Sequence, residues 1–362
     1  MSSPDRASLV IDLDALAHNL SVIRAEASGA EVAAVVKADG YGLGAGPIAR
    51  RLWAEGVRRF FVARLSEGED LRSDLGDRDA TIYVLDGLFP ATADRLVAAR
   101  LTPVIETLTQ VHAAQTLAAA RGRLNVALQI DTGMNRQGLT PEDAVTLANA
   151  PDGLRSLEVT LVMSHLGSAT DPLEPRNPDQ LTRFQSTRTQ FPGALASLAA
   201  SGGAFLGPDF RFDLVRAGVT LYGGGPEERP DRRLRAVATL SAPILDVRSL
   251  RPGDRVSYGN AFTAERPMRV AIIAAGYADG LIRAAMGRAN AWIDGRPHRL
   301  IAVNMDLAVL DLGDTAATPG DSVEVLGPNA QLDDLAAAAG TVAHEVLVRL
   351  SRRAERIYVG GS

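Results

Sequence analysis

Through residue 230 the chain alternates two hydrophobic periodicities, and this alternation restricts its fold more than any other feature. Short apolar, β-branched runs occur at 32–36, 59–63, 81–85, 102–105, 124–130, 157–163, 195–200 and 213–216. Helical patterns lie between most of them, at 43–55, 66–74, 91–100, 107–121, 141–149 and 177–190. Two successive strands can pair in parallel only through a long crossover, and a helix is the usual one. Eight strand candidates of this kind favour a closed (β/α)8 barrel over an open sheet. Thr140 before Pro141 and Asn177 before Pro178 read as helix caps, and a further helix, 12–27, precedes the first barrel strand. From residue 231 the texture changes. Strand-like segments at 235–248, 254–258, 268–275, 290–293, 299–303, 306–311, 321–326 and 345–350 are divided by turn signals such as Pro252-Gly253-Asp254, with one helix at 331–339. The expected organisation is an α/β barrel over 1–230 and a mainly β domain over 231–362, linked through 223–233, with the first 10 residues free to pair with the β domain.

Composition narrows the function. Hydrophobic residues make up 46% and charged residues 22% of 362, ordinary for a chain that buries a sizeable core. A net charge of −5 offers no basic face for nucleic acid or an anionic membrane. The absence of cysteine excludes disulfides and thiolate metal sites, and the five histidines show no metal-ligand spacing, so no metal is assigned. There is no apolar run of bilayer length, and the first residues lack the pattern of a signal peptide. A cytoplasmic enzyme acting on a small molecule is the expectation.

In a barrel, catalytic groups follow the carboxyl ends of the strands. Here those positions hold Lys37 and Tyr41, then Asp131 to Arg136, then Ser164-His165, Ser201 and Arg216-Gly218. Lys37 is the one lysine among 38 cationic side chains and follows five apolar residues. Arginine keeps its proton in proteins, whereas a desolvated lysine sheds it and becomes a nucleophile toward carbonyls. A chain that writes every other cation as arginine and keeps one amine at a strand end points to imine chemistry there.

The segment "AAVVKADGYGLGA" resembles the cofactor-lysine segment of alanine racemases. The resemblance continues in order through "DTGMNRQGL" at 131–139, "SHLGSA" at 164–169, "VRAGVTLYGGGP" at 215–226, "VSYGNAF" at 256–262, "GYADG" at 276–280 and "NMDLAVLD" at 304–311. It implies racemisation of L- and D-alanine through a pyridoxal-phosphate aldimine, for D-alanine supply to peptidoglycan. Lys37 would hold the cofactor and serve as base on one face of the α-carbon, with Tyr277 as base on the other. His165 and Arg216 would lie under the cofactor ring, with Arg216 donating to the pyridine nitrogen. Tyr41, Ser201 and the amides of Gly218 and Val219 would bind the phosphate. Arg136 and the Met305 amide would meet the substrate carboxylate; Asp306 lies close by with no derived role. A head-to-tail homodimer with shared active sites is also implied.

Three positions depart from the family pattern. Gln129 stands where many relatives carry a carbamate-modified lysine that would pair with Arg136, leaving room for an anion such as chloride. Arg352 falls where the family has a second phosphate-contacting tyrosine, and Ala302 near where many relatives have arginine. These differences bear on substrate preference, so a serine or broad-specificity racemase is the near alternative. A non-catalytic pyridoxal-phosphate carrier needs no second base, and a decarboxylase gains nothing from a ring nitrogen facing arginine.

Overall fold

The computed structural model describes residues 6–350 and 352–361, apart from the side chain of Asn260. The outermost ends of both expected domain ranges, and residues 1–5 of the N-terminal pairing segment, lie outside them. Packing divides the chain into two compact units: Leu20–Gly40 with Gly44–Leu221, and Met1–Asn19 with Tyr41–Leu43 and Tyr222–Ser362. The chain opens with strand β1 (Ser8–Asp12) and helix α1 (Leu13–Glu26).

The first unit is a parallel barrel. Its strands are β2 (Glu31–Val35), β3 (Arg59–Val62), β4 (Thr81–Val84), β5 (Thr102–Ile105), β6 (Leu124–Gln129), β7 (Leu157–Met163), β8 (Leu195–Ser197) and β9 (Leu214–Ala217). They pair in the order β8-β7-β6-β5-β4-β3-β2-β9, and a parallel bridge from Ala200 to Arg216 joins the ends. Helices α2 (Ala45–Ala54), α3 (Leu65–Leu75), α4 (Ala93–Ala98), α5 (Leu108–Arg121), α6 (Pro141–Asn149) and α7 (Arg176–Arg188) follow β2 to β7 in turn. Only short 3-10 turns link β8 to β9. Every strand sends at least one apolar side chain into the barrel centre, with Phe61 stacked on Tyr83 at 4.6 Å between ring centroids.

Local details differ from expectation at identifiable places. Thr140 caps α6 as anticipated, its hydroxyl accepting from the Asp143 amide at 3.0 Å. Asn177 is not a cap: α7 begins one residue earlier, and the Asn177 side-chain Nδ2 instead donates to the carbonyls of Ser168 and Asp171. The strand expected at 195–200 stops at Ser197, and the chain runs into the 3-10 turn Gly202–Phe205.

The other unit is antiparallel. It contains β10 (Ala238–Leu250), β11 (Arg255–Val256), β12 (Phe262–Thr263), β13 (Met268–Ile273), β14 (Asn290–Ile293), β15 (Arg296–Val303), β16 (Ala308–Asp311), β17 (Ser322–Leu326), helices α8 (Leu332–Ala339) and α9 (Ala343–Arg349), and β18 (Glu355–Val359). The long β10 pairs with β17 through its first part and with β13 through its second, with a register break between Ile244 and Asp246. The ring β10-β13-β16-β15-β14-β17 is thereby closed, which removes the exposed edges of an open sheet. β1 lies between β10, antiparallel, and β18, parallel. The strand expected at 345–350 is helix α9 instead. Val346, Leu347 and Leu350 are the buried residues there, and their spacing is that of a helix face rather than a strand.

Phe61→Ala is expected to destabilise the barrel by about 3–5 kcal/mol, because the aromatic stack and its fully buried volume are both lost. Urea unfolding followed by fluorescence measures this. A loss under about 1 kcal/mol would mean that the barrel centre collapses around the cavity.

Candidate active site

Side chains two residues apart on a strand share a face. Besides Phe61 on β3 and Tyr83 on β4 with Leu85 after it, which lead on to Ala63 and Gly87, the barrel-centre residues lie on six strands: Ala33 and Val35 on β2, Val104 on β5, Ala127 on β6, Leu161 and Met163 on β7, Leu195 on β8 and Leu214 on β9. Continuing each by two toward the carboxyl end gives Lys37, Glu106, Gln129, His165, Ser197 and Arg216. The register that fills the barrel with apolar groups therefore aims a ring of polar ones into its mouth. Lys37, His165 and Arg216 were singled out from sequence; Glu106 was not.

Lys37 stands before an unusual turn. Ala38, Asp39, Gly40 and Tyr41 all have positive φ, between 53° and 61°. Left-handed backbone costs roughly 1–2 kcal/mol for each residue with a β-carbon, so the turn needs fixed partners. Glu67, early in α3, is the main one. Its carboxylate accepts from the Ala38 amide at 2.9 Å, from Ala63 at 2.7 Å and from Arg64 at 3.2 Å. Asp39 accepts from the Ala45 amide at 2.9 Å and so anchors the start of α2. At Gly40 a β-carbon would sit 2.9 Å from Ile48 Cδ1 and 3.1 Å from the Ala45 backbone, so glycine suits this close approach and adopts the left-handed φ without the steric cost its neighbours bear. The Lys37 amine is held below its ordinary pKa, first by burial and then by the Arg136 charge; Glu67 and Asp86 oppose the shift in part. That is the direction a nucleophilic amine needs.

Arg216 is buried without any carboxylate partner among the described residues. It donates to the Ser197 carbonyl at 2.9 Å, the Ser197 hydroxyl at 2.6 Å and the Ser164 carbonyl at 2.5 Å. A longer contact, 3.4 Å, reaches His165 Nδ1, which as acceptor places the imidazole proton on Nε2. Burial pulls the guanidinium down to about 9, so it remains charged at neutral pH. Among the described residues its Nε–H has no partner. Ser201 accepts from the amides of Gly218 at 2.9 Å and Thr220 at 3.3 Å, with Val219 between them. The fully buried Thr220 hydroxyl has no partner among the described residues. These free or shareable donors, with the amine of Lys37, fit an anionic phosphate and a ring nitrogen.

The loop after β6 is organised by Asp131, whose Oδ1 accepts from the amides of Gly133, Met134 and Asn135 at 2.9, 2.8 and 3.1 Å. Arg136 follows this turn and is exposed. Gln180, fully buried on α7, donates to the His165 carbonyl at 2.9 Å and the Thr132 hydroxyl at 3.2 Å, tying the β6 and β7 loops together. Beside them, buried Glu106 accepts from Gln137 Nε2 at 3.0 Å. Burial, more than any other influence, raises its carboxyl to about 7. Gln129 is buried.

The remaining candidates belong to the other unit. Tyr41 is buried, stacked on Tyr222 at 4.5 Å between centroids and tilted against His344, and burial raises its phenol pKa. Tyr277 and Met305 are 44% and 54% exposed. Their turns are joined by Tyr277 N–H to the Asn304 carbonyl and Ala278 N–H to the Met305 carbonyl, both at 2.9 Å. The Met305 N–H has no partner among the described residues. Ala302 is fully buried on β15 and Arg352 is exposed.

Glu67, Glu106 and Gln180 escaped the sequence reading. Glu67 follows Arg64 by three at a helix start, a spacing known for reciprocal caps. Glu106 follows inward Val104 by two. For Gln180 the sequence carries no local signal, since its partners come from two other loops.

Residues 11–226 match the family model described as alanine racemase, N-terminal domain, and residues 237–358 match alanine racemase, C-terminal domain. An alanine racemase of Rhizobium meliloti is 41% identical, with all of both chains covered. A catabolic alanine racemase of Agrobacterium fabrum is 40% identical over 97% of this chain and 92% of its own. Among solved structures, alanine racemase from Bartonella henselae with covalently bound pyridoxal phosphate superposes with a TM-score of 0.92 at 32% identity, covering 98% of this chain and 99% of its own.

Glu106 supplies a pH prediction. Its folded pKa, about 7, lies above the ordinary 4.5, so between those values the folded state holds more proton than the unfolded one. Stability should therefore fall as pH rises through that interval. Glu106→Gln keeps the acceptor for Gln137 but does not titrate. Relative to the native chain it should gain on the order of 1–3 kcal/mol at pH 8 over its standing at pH 4. Urea unfolding at both pH values checks this; an equal difference at the two would show that Glu106 is solvated.

Proposed function

Because the chain belongs to the alanine racemase family, we propose that it interconverts L- and D-alanine by moving the α-proton between two bases, Lys37 and Tyr277. The enzyme is a racemase that uses pyridoxal phosphate. The observation that supports the assignment most is the placement of Lys37. It is a partly buried amine with lowered pKa, on the inward face shared by Arg216 and His165.

When bound, pyridoxal phosphate supplies a carbonyl for amines and a conjugated ring that delocalises the charge left by a departing α-proton. The chain's own residues do the rest. Lys37 anchors the cofactor and, once free, takes or returns the proton on one face. The Nε–H of Arg216, without a partner among the described residues, would donate to the ring nitrogen. Because a guanidinium keeps its proton, Arg216 would bind that nitrogen without protonating it and so moderate the electron withdrawal the cofactor supplies, which would favour prompt proton return over side reactions. Ser201, Tyr41 and the amides of Gly218 and Val219 hold the phosphate. Arg136 and the free Met305 N–H orient the substrate carboxylate. Racemisation requires a second proton carrier opposite the first, and Tyr277 fills that part. Its exposure, with that of Met305, suits a homodimer in which each subunit lends both residues to the other's site. The proposed setting is the cytoplasm, with D-alanine passing to peptidoglycan. No helix among the described residues is long and apolar enough to cross a membrane.

Borohydride reduction of the holoenzyme should fix the cofactor at Lys37 alone, as read by peptide mass spectrometry; reduction at the terminal amine instead would remove Lys37 from its role. Tyr277→Phe should slow racemisation about 100-fold or more while leaving cofactor affinity within a few-fold. In heavy water, exchange of the α-hydrogen should persist for the one enantiomer that Lys37 deprotonates. Unchanged racemisation would dismiss Tyr277 as a base.

A further inference from the structure

Tyr277 and Met305 sit on two short turns whose separation decides whether base and carboxylate donor reach one substrate together. Backbone contacts already press the turns together. A β-carbon on Gly276 would fall 2.3 Å from the Met305 carbonyl oxygen and 2.4 Å from that of Asn304. One side chain spans both turns. Arg353, in the segment between α9 and β18, donates from Nε and one terminal nitrogen to the two oxygens of Asp279 at 2.7 and 2.8 Å. Its other terminal nitrogen donates to Asp306 at 2.5 Å. Asp279 lies two residues after Tyr277 and Asp306 one after Met305. The Asp279 side chain is only 3% exposed and also accepts from the Gly276 amide at 2.8 Å.

We propose that Arg353 is a positioning residue for the reaction: its guanidinium sets the distance and orientation between the turn carrying Tyr277 and the turn carrying Met305. The proposal rests on the roles given to those two residues above. The two arms of the clamp are unequal. The Asp279 arm is a bidentate pair to a buried carboxylate, which would otherwise be left with an unpaired charge. The Asp306 side chain is 60% exposed, so that arm contributes little to stability and acts mainly on geometry. Lysine cannot replace the clamp, because a single ammonium does not present a planar fork to two carboxylates at once.

The test compares Arg353→Lys, Asp306→Asn, Tyr277→Phe and the double variant Arg353→Lys/Tyr277→Phe as holoenzymes. Racemisation is followed by circular dichroism, and α-hydrogen exchange by NMR in heavy water from each enantiomer. Arg353→Lys should lower the racemisation kcat about 10-fold or more, since small misplacements of reacting groups are costly. It should also raise the ratio of exchange to racemisation for the same enantiomer as Tyr277→Phe does, with cofactor affinity unchanged within 2-fold. On the Tyr277→Phe background it should change racemisation less than 2-fold, the coupling expected of a group acting through that tyrosine. Asp306→Asn leaves Asp279 paired and serves if Arg353→Lys does not fold; it should raise KM for alanine about 3-fold or more with kcat little changed. Parallel loss of exchange from both enantiomers, unchanged kinetics, or additive losses in the double variant would overturn the proposal. If Tyr277→Phe lacks its own signature, the reading of Tyr277 fails and takes the clamp's role with it; if that signature is present and Arg353→Lys shows none, the clamp alone fails.

Discussion

The two-residue repeat of the barrel strands is the constraint on which the site depends. Each strand is pinned by its neighbours in register, with Ala33 beside Arg216, Ala127 beside Leu161 and Met163 beside Ser197. A slip of one residue in any strand would turn its polar end outward and its apolar residues away from the centre. The proposed catalytic layer is therefore not added to the barrel core as a separate feature. It is the next layer of the same packing, and its rigidity comes from Phe61, Tyr83, Val104 and their neighbours below it.

Above that core the electrostatics are lopsided. Arg216 is satisfied by carbonyl and hydroxyl dipoles rather than, among the described residues, by a neutralising carboxylate, so its charge is left uncompensated. Arg136 adds a second positive charge that depresses Lys37. Glu67, the nearby acid with the most contacts, spends its oxygens on three backbone amides and so shapes the Lys37 turn as well as tempering its titration. A mouth of this kind suits a ligand bearing a phosphate at one end and a carboxylate at the other. It also holds the Lys37 amine, whose pKa burial and the Arg136 charge lower.

The barrel was legible because its apolar runs are short, β-branched and separated by helix-length intervals. Lys37 stood out because nothing else in the chain shares its chemistry. What the sequence hid falls into two kinds. At 345–350 an alternating valine–leucine pattern sits in a helix, since Val346, Leu347 and Leu350 find their burial on one side of a short turn of helix rather than on one face of a strand. Strand β18, in contrast, carries only a brief apolar stretch and owes its form to pairing with β1. In the site, Gln180 and Arg353 act across loops far apart in sequence, and only the folded chain brings their partners within reach.

The place of β1 has a consequence for how the protein is made. A long stretch of chain separates this strand from both its neighbours, since β10 and β18 begin at residues 238 and 355. During synthesis its backbone donors and acceptors have no native partner until β10 has followed, and the seam with β18 closes only once residues 355–359 are made. Chains that lack β18 would expose the unpaired backbone edge of β1 from Ser8 to Asp12, the kind of surface that chaperones and proteases recognise.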